Sequence, residues 1–396
     1  MRRDLIETSS RFAITAFLQL ACFFITSKLL SVEVFGQLSL ILAYSFIIAN
    51  ISVIGLPAAQ VYFLVDKEYK KEIIKLTFIH TLALFSFSTL LAFLFYFFDY
   101  ETLFYISLIS SVQSVFLIVS GAFQSLNMIR KLNLISLLQW ACLCIALFLI
   151  NTPNLFNMVV AYFISYLITI CYSLLLLKSR LDVFFSQSFM TIKIDRKKAR
   201  TIYKYGFISF SSSLVGFLNH RLGLLIVGLF LGNQAAGLYS FAIQIVERLA
   251  IFSQAFATVY FPKVRRMSCL TMQKEQIKKA IQYLLLLLLP VSFLFILFYQ
   301  PIIEMVFDTK YQGSYTVINI LIVGVLVTSV ARLLFILISA NGHVVANLKI
   351  SSSCLILNAL ISLVSVFYFG WLGVAITTSL IAFLSLYLAY SFLKKA

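Results

Sequence analysis

Six ionisable side chains stand where an apolar sequence has least room for them. Lys28, His220, Arg221, Glu247, Arg248 and Arg332 all lie inside runs of about twenty predominantly apolar residues. An ionised group at the centre of a bilayer costs several kcal/mol, from about 2.5 upward, so such residues mark functional sites by default. Arg221, Arg248 and Arg332 share one nearby carboxylate, Glu247. An Arg221–Glu247 pair between neighbouring helices is the natural match. Glu247 and Arg248 themselves diverge by about 100° on a helix and do not face each other. Two positive charges are then left over to meet water or an anion. A guanidinium binds phosphate or carboxylate oxygens in a two-pronged fashion, so the chemistry on offer is anion recognition.

Each of these residues also has a purely structural reading. Lys28 lies near a span end, from which its ammonium can reach the interface. His220 can carry a proton near neutral pH, but packing against a hydrogen-bonding partner is the simpler account of a buried histidine there, and for His80 more so. Uncharged polar residues thicken the pattern. Gln244 and Gln254 share a broad helical face with Ser240, Gln19 lies with Thr15 and Thr26, Thr328 and Ser339 flank Arg332, and Asn358 precedes Ser362 and Ser365. Hydrogen bonds between helices account for many such groups. Together they suit an interior that accepts hydroxyl-rich ligands. The candidate substrate-binding residues are therefore Arg221, Arg248, Arg332, Lys28, Gln19, Gln244 and Gln254, with Glu247 and His220 setting charge balance or coupling.

The elements that must carry these residues follow from composition. The 396 residues are 62% hydrophobic and 11% charged, with a mean hydropathy of +1.01. Soluble domains hold about 45–50% apolar and 25% charged residues. Lipid must be the solvent, and the fold expected is an all-α membrane bundle. Spans of the required length run over 12–31, 38–65, 76–98, 103–125, 132–150, 156–177, 205–231, 237–260, 280–299, 315–340, 350–369 and 371–392, twelve in all. The last break rests on Gly370-Trp371 alone. Pro57 and Pro290 are expected to kink their helices.

Lys and Arg are biased toward cytoplasmic loops. With twelve spans, 26 basic residues fall on one side and a single one, Lys310, on the other, a split that a single miscounted helix would destroy. Both termini are thus expected in the cytoplasm. The net charge of +17 is explained by this bias and by anionic lipid headgroups, without nucleic acid. The longest extramembrane segment, 178–204, separates two sets of six spans: a lobe over 1–177, a basic linker, and a lobe over 205–396. Leu30–Ser39 and Leu231–Ser240 occupy equivalent places in the two halves, each with a Leu six residues before a Gly (Gly36, Gly237) and a Ser close behind (Ser39, Ser240). Each half starts inside, so the repeats would be parallel.

Several functions fall away. There is no Walker loop, HExxH, GxSxG or carboxylate pair facing water, and no segment long enough to fold as a nucleotide-binding domain. Cys142-x-Cys144 lacks accompanying metal ligands. Neither a cofactor nor a metal is expected. A membrane-embedded glycan-assembly enzyme is disfavoured by the short outside loops.

Arg11-Phe-Ala-Ile, Ser27-Lys28-Leu-Leu-Ser-Val-Glu-Val-Phe-Gly36-Gln-Leu-Ser, and Ile54-Gly55-Leu-Pro57 resemble the polysaccharide-exporter flippases of the Wzx type. Gly237-Leu-Tyr-Ser240 and Val259-Tyr-Phe-Pro262 look like that family's repeat of the pattern. The resemblance implies membership of the superfamily that also holds multidrug exporters and lipid II flippases. It implies two six-helix lobes around a cationic cavity, and translocation of undecaprenyl-diphosphate-linked oligosaccharide (an O-antigen or capsule unit) across a bacterial inner membrane. The partners implied are that lipid, anionic membrane lipids and other polysaccharide-assembly proteins. Helix 1 lacks the acidic residue of cation-coupled drug exporters, and twelve spans are fewer than the fourteen of lipid II flippases. A small-molecule exporter is the alternative.

Overall fold

The computed structural model describes residues 2–64, 68–178, 195–265, 267 and 269–395. All regular structure among them is helical. The α-helices are α1 (Arg2–Leu29), α2 (Val32–Val53), α3 (Leu56–Phe63), α4 (Lys70–Phe97), α5 (Glu101–Ser125), α6 (Ile129–Phe148) and α7 (Leu155–Lys178). After the basic segment come α8 (Arg196–Val246), α9 (Ala250–Arg265), α10 (Leu270–Phe307), α11 (Tyr315–Ala340) and α12 (Val344–Lys395). Two 3-10 turns, Glu247–Leu249 and Asp308–Ser314, interrupt the series.

Eight helical stretches among the described residues are long and apolar enough to cross a bilayer. Three of them, Arg196–Arg265, Leu270–Ala340 and Val345–Lys394, run 70, 71 and 50 residues. About 20 residues suffice for one crossing, so each has length for more than one. Each is also broken inside: Gly232 takes φ 82° in α8, Gly370 takes φ 57° in α12, and the second 3-10 turn separates α10 from α11. Side chains such as Leu286, Phe293, Met305 and Phe367 are largely exposed. That much bare apolar surface requires lipid around it. The protein is a multi-pass membrane protein.

Contacts divide the chain into two compact units, residues 1–30 with 41–214 and residues 31–40 with 215–396. In the first unit, Val112, Val119 and Phe123 of α5 pack with Ile135 of α6 and Ile170 and Leu177 of α7. A second cluster joins α3 and α4 to the start of α8 through Leu56, Phe63, Ile73 and Ile202. Lys198 fixes this junction from the aqueous side, 3.4 Å from Glu72 and donating to the Glu68 carbonyl. Pro57 does not kink a continuous helix. The helix stops at Ile54-Gly55, both with positive φ, and Pro57 opens α3 at its first turn, where its missing N–H costs nothing. His80 is a packing histidine: its Nε2 contacts the Ser52 carbonyl at 2.8 Å and its Nδ1 the Tyr203 hydroxyl at 3.4 Å. With Nε2 protonated, both nitrogens are satisfied.

In the second unit, Ile277, Leu284 and Leu288 of α10 pack with Leu333 and Leu337 of α11 and Ala389 and Leu393 of α12. Gly36 and Gly237 meet here. A Cβ on Gly36 would strike the Asn233 carbonyl oxygen, and one on Gly237 the Val32 carbonyl. Beside them the Ser240 hydroxyl donates to Ser39 Oγ at 2.9 Å. The two segments that match in sequence therefore touch in space.

Candidate functional site

Inside the second unit lies a cavity of about 300 Å³ walled by α8, α11 and α12, together with the 3-10 turn. Its polar lining includes His220, Glu247, Thr328, Arg332, Ser351 and Asn358. Three of the ionisable residues singled out from the sequence, His220, Glu247 and Arg332, thus share one chamber. Arg221 reaches it indirectly, its Nη2 donating to Glu247 Oε2 at 3.2 Å with both side chains about a third exposed. Arg248, half-buried, lies within electrostatic reach of both Glu247 and Arg221. Glu247 also acts electrostatically on His220 and Arg332. One carboxylate therefore serves three guanidiniums and an imidazole.

Arg332 is the outlying cation. Among the described residues it makes no hydrogen bond and has no carboxylate within 4 Å, yet its side chain is half-buried at the cavity wall. A guanidinium in that position wants water or an anion. At about 30 Å³ per water molecule, the chamber has room for roughly ten.

Local backbone explains how these residues are held. Glu247 and Arg248 sit on a 3-10 turn between α8 and α9. Successive side chains there diverge by about 120°, more than the 100° of the regular helix expected from sequence. Asn219 donates to the Ser351 carbonyl at 3.1 Å and pins α8 to α12 at the chamber wall. Asn219 and Ser351 were not foreseen as site residues, although Asn219 precedes His220-Arg221 in an apolar run and could have been.

The other candidates lie elsewhere. Gln244 donates to Ser240 Oγ at 3.0 Å and so joins the Ser240–Ser39 contact. Gln254 is on an exposed flank of α9, and Gln19 and Lys28 belong to α1 in the first unit. Several polar residues near the site are spent on structure: Ser339 accepts from Asn347 at 2.6 Å, and Ser362 donates to Asn358 at 3.0 Å.

A family profile described as polysaccharide biosynthesis protein matches residues 3–268. The chain belongs to that family. All the segments that carried the resemblance to polysaccharide exporters fall within the matched range, and the resemblance is borne out. A probable low-salt glycan biosynthesis flippase of Haloferax volcanii is 26% identical over 187 residues, 46% of this chain and 40% of that protein. The chain thus matches less than half the length of that relative. Among solved structures, the lipid II flippase MurJ in an inward closed conformation superposes with a TM-score of 0.77 at 15% identity, covering 98% of this chain and 87% of MurJ. An inward-facing multidrug resistance MATE transporter of the MOP superfamily gives 0.74 at 14% identity over 98% of both chains. This family member therefore has the MATE/MurJ fold.

Proposed function

We propose that the protein is a flippase that moves lipid-linked oligosaccharide, carried on undecaprenyl diphosphate, from the cytoplasmic to the periplasmic leaflet of a bacterial inner membrane by alternating access. Twelve crossings in two six-helix lobes, with both termini in the cytoplasm, complete the reading. The observation that carries it is Arg332, a half-buried guanidinium on a polar chamber with no carboxylate within bonding distance among the described residues. Family membership supports the glycan-lipid class of substrate, and the relative's name as a glycan biosynthesis flippase agrees with it. Arg332, with Arg221 and Arg248, would attract the diphosphate or acidic sugars, while Glu247 limits the local positive charge.

The test is complementation of a deletion strain. Arg332→Ala at normal membrane abundance is expected to abolish surface polysaccharide and leave lipid-linked precursor on the cytoplasmic side; Arg332→Lys is expected to restore part of it. Full surface polysaccharide in Arg332→Ala cells would reject the cationic-site mechanism. The MATE likeness supports a second reading, small-molecule export. Altered drug susceptibility of the deletion strain, with polysaccharide unchanged, would favour that reading.

A further inference from the structure

The second unit carries another concavity, unlike the first. A groove of about 960 Å³ runs between the start of α10, the second half of α11 and the end of α12. Its walls are apolar, with Ile277 and Ile281 on α10, Val330 and Leu334 on α11, and Phe383 and Leu386 on α12. Lys274, Lys278 and Lys394 also line it. The lysines belong to the first turns of α10 and the last turn of α12, so they gather at one end. No acidic residue lines the groove. On the neighbouring face Lys279 is held by Glu275 at 2.8 Å, and Lys278 lies within electrostatic reach of the same carboxylate; among the described residues none of Lys274, Lys278 and Lys394 forms a salt bridge. Tyr387 and Tyr390, both exposed, stand along the α12 wall below Lys394, an arrangement suited to a membrane interface.

We infer that this groove seats one anionic glycerophospholipid, its phosphate among Lys274, Lys278 and Lys394 and an acyl chain along α11. Two physical facts fix the occupant. Three ammonium groups at the rim of an apolar slot, with the one nearby carboxylate already engaged by Lys279, complement a ligand with an anionic head and a hydrocarbon tail. The twelve residues from Phe383 to Lys394 span about 16 Å of helix, close to half of the roughly 30 Å hydrocarbon core. The slot is thus about one leaflet deep. On the orientation given by the basic loops, it opens to the cytoplasmic leaflet, which holds the anionic lipids that attract basic clusters. The seat depends on the membrane-spanning reading of the chain and not on what it transports.

The test uses the full-length protein in neutral detergent, offered phosphatidylglycerol and phosphatidylcholine of identical chains, with retained lipid counted by native mass spectrometry. Wild type is expected to retain one phosphatidylglycerol in preference. A basic residue near an anionic surface is worth on the order of fivefold, so K274Q/K278Q/K394Q is expected to lose more than about tenfold of that preference. Val330→Phe, which narrows the slot, is expected to weaken retention of both lipids; Leu386→Trp on the opposite wall repeats this test should the first variant fold poorly. An unchanged preference in the lysine variant overturns the inference, as does unchanged retention in folded variants with a narrowed groove. Displacement of the lipid by inorganic phosphate alone would also overturn it, by showing a free-anion site.

Discussion

Glu247 is the residue on which the charge balance of the second unit turns. It pairs with Arg221 and lies within electrostatic reach of His220, Arg248 and Arg332. Its removal and the removal of Arg221 should therefore be unequal. Glu247→Gln removes a counter-charge shared by several cations in a partly dry setting. Arg221→Met leaves the carboxylate with other positive groups close by. Breaking a fully buried pair costs about 3–5 kcal/mol; with both partners about a third exposed, about 1–3 kcal/mol is the expected loss for Glu247→Gln, and less than half of that for Arg221→Met. Thermal unfolding of the purified variants measures the difference, and equal losses would show that only the pair itself matters. Pairing of Arg221 with Glu247 was legible in the sequence because one acid among apolar helices has few choices. Placement of Arg332 opposite them was not, because hydropathy carries no information about which helices are neighbours.

At the scale of elements, Gly36 and Gly237 set how closely two helices approach. Each would drive a Cβ into a backbone carbonyl of the facing segment, and backbone does not yield as a flexible side chain does. Gly36→Ala and Gly237→Ala are each expected to lower stability by about 1–3 kcal/mol, the usual cost of overfilling a packed interior. Detergent-solubilised yield and melting temperature would report it, and wild-type values for both would show that the helices can part. The sequence marked these segments as equivalent members of a repeat. It did not reveal that they touch, since similarity says nothing of adjacency. Helix ends at Gly232 and Gly370 were readable, because Gly232-Asn233-Gln234 and the lone Gly370 break apolar runs there. The stop at Ile54-Gly55 was read as a kink at Pro57, since proline is tolerated both inside a bent helix and at the start of a new one.

For the whole molecule, Cys269 offers a test of orientation. It is the N-cap residue of α10, is exposed, and contacts the Thr271 hydroxyl at 2.9 Å. That hydrogen bond, followed by the amides of Met272 and Thr271, holds its thiol below the ordinary value, as helix N-termini do. A lowered value means more thiolate at a given pH, so alkylation should remain fast to lower pH than for an ordinary cysteine. An impermeant maleimide is expected to label Cys269 in inverted vesicles and not in right-side-out cells. Labelling from outside would reverse the topology read from the 26 basic residues on one side.

The 3-10 turn at Glu247–Leu249 gives the junction between α8 and α9 a property of a screw thread. A 3-10 turn advances about 2.0 Å and 120° per residue, an α-helix about 1.5 Å and 100°. Rewinding those three residues as α-helix would spin the sixteen residues of α9 by about 60° and draw them in by about 1.5 Å, with scarcely a change in the number of backbone hydrogen bonds. Glu247, first residue of the thread, would keep its seat while everything beyond it rotated.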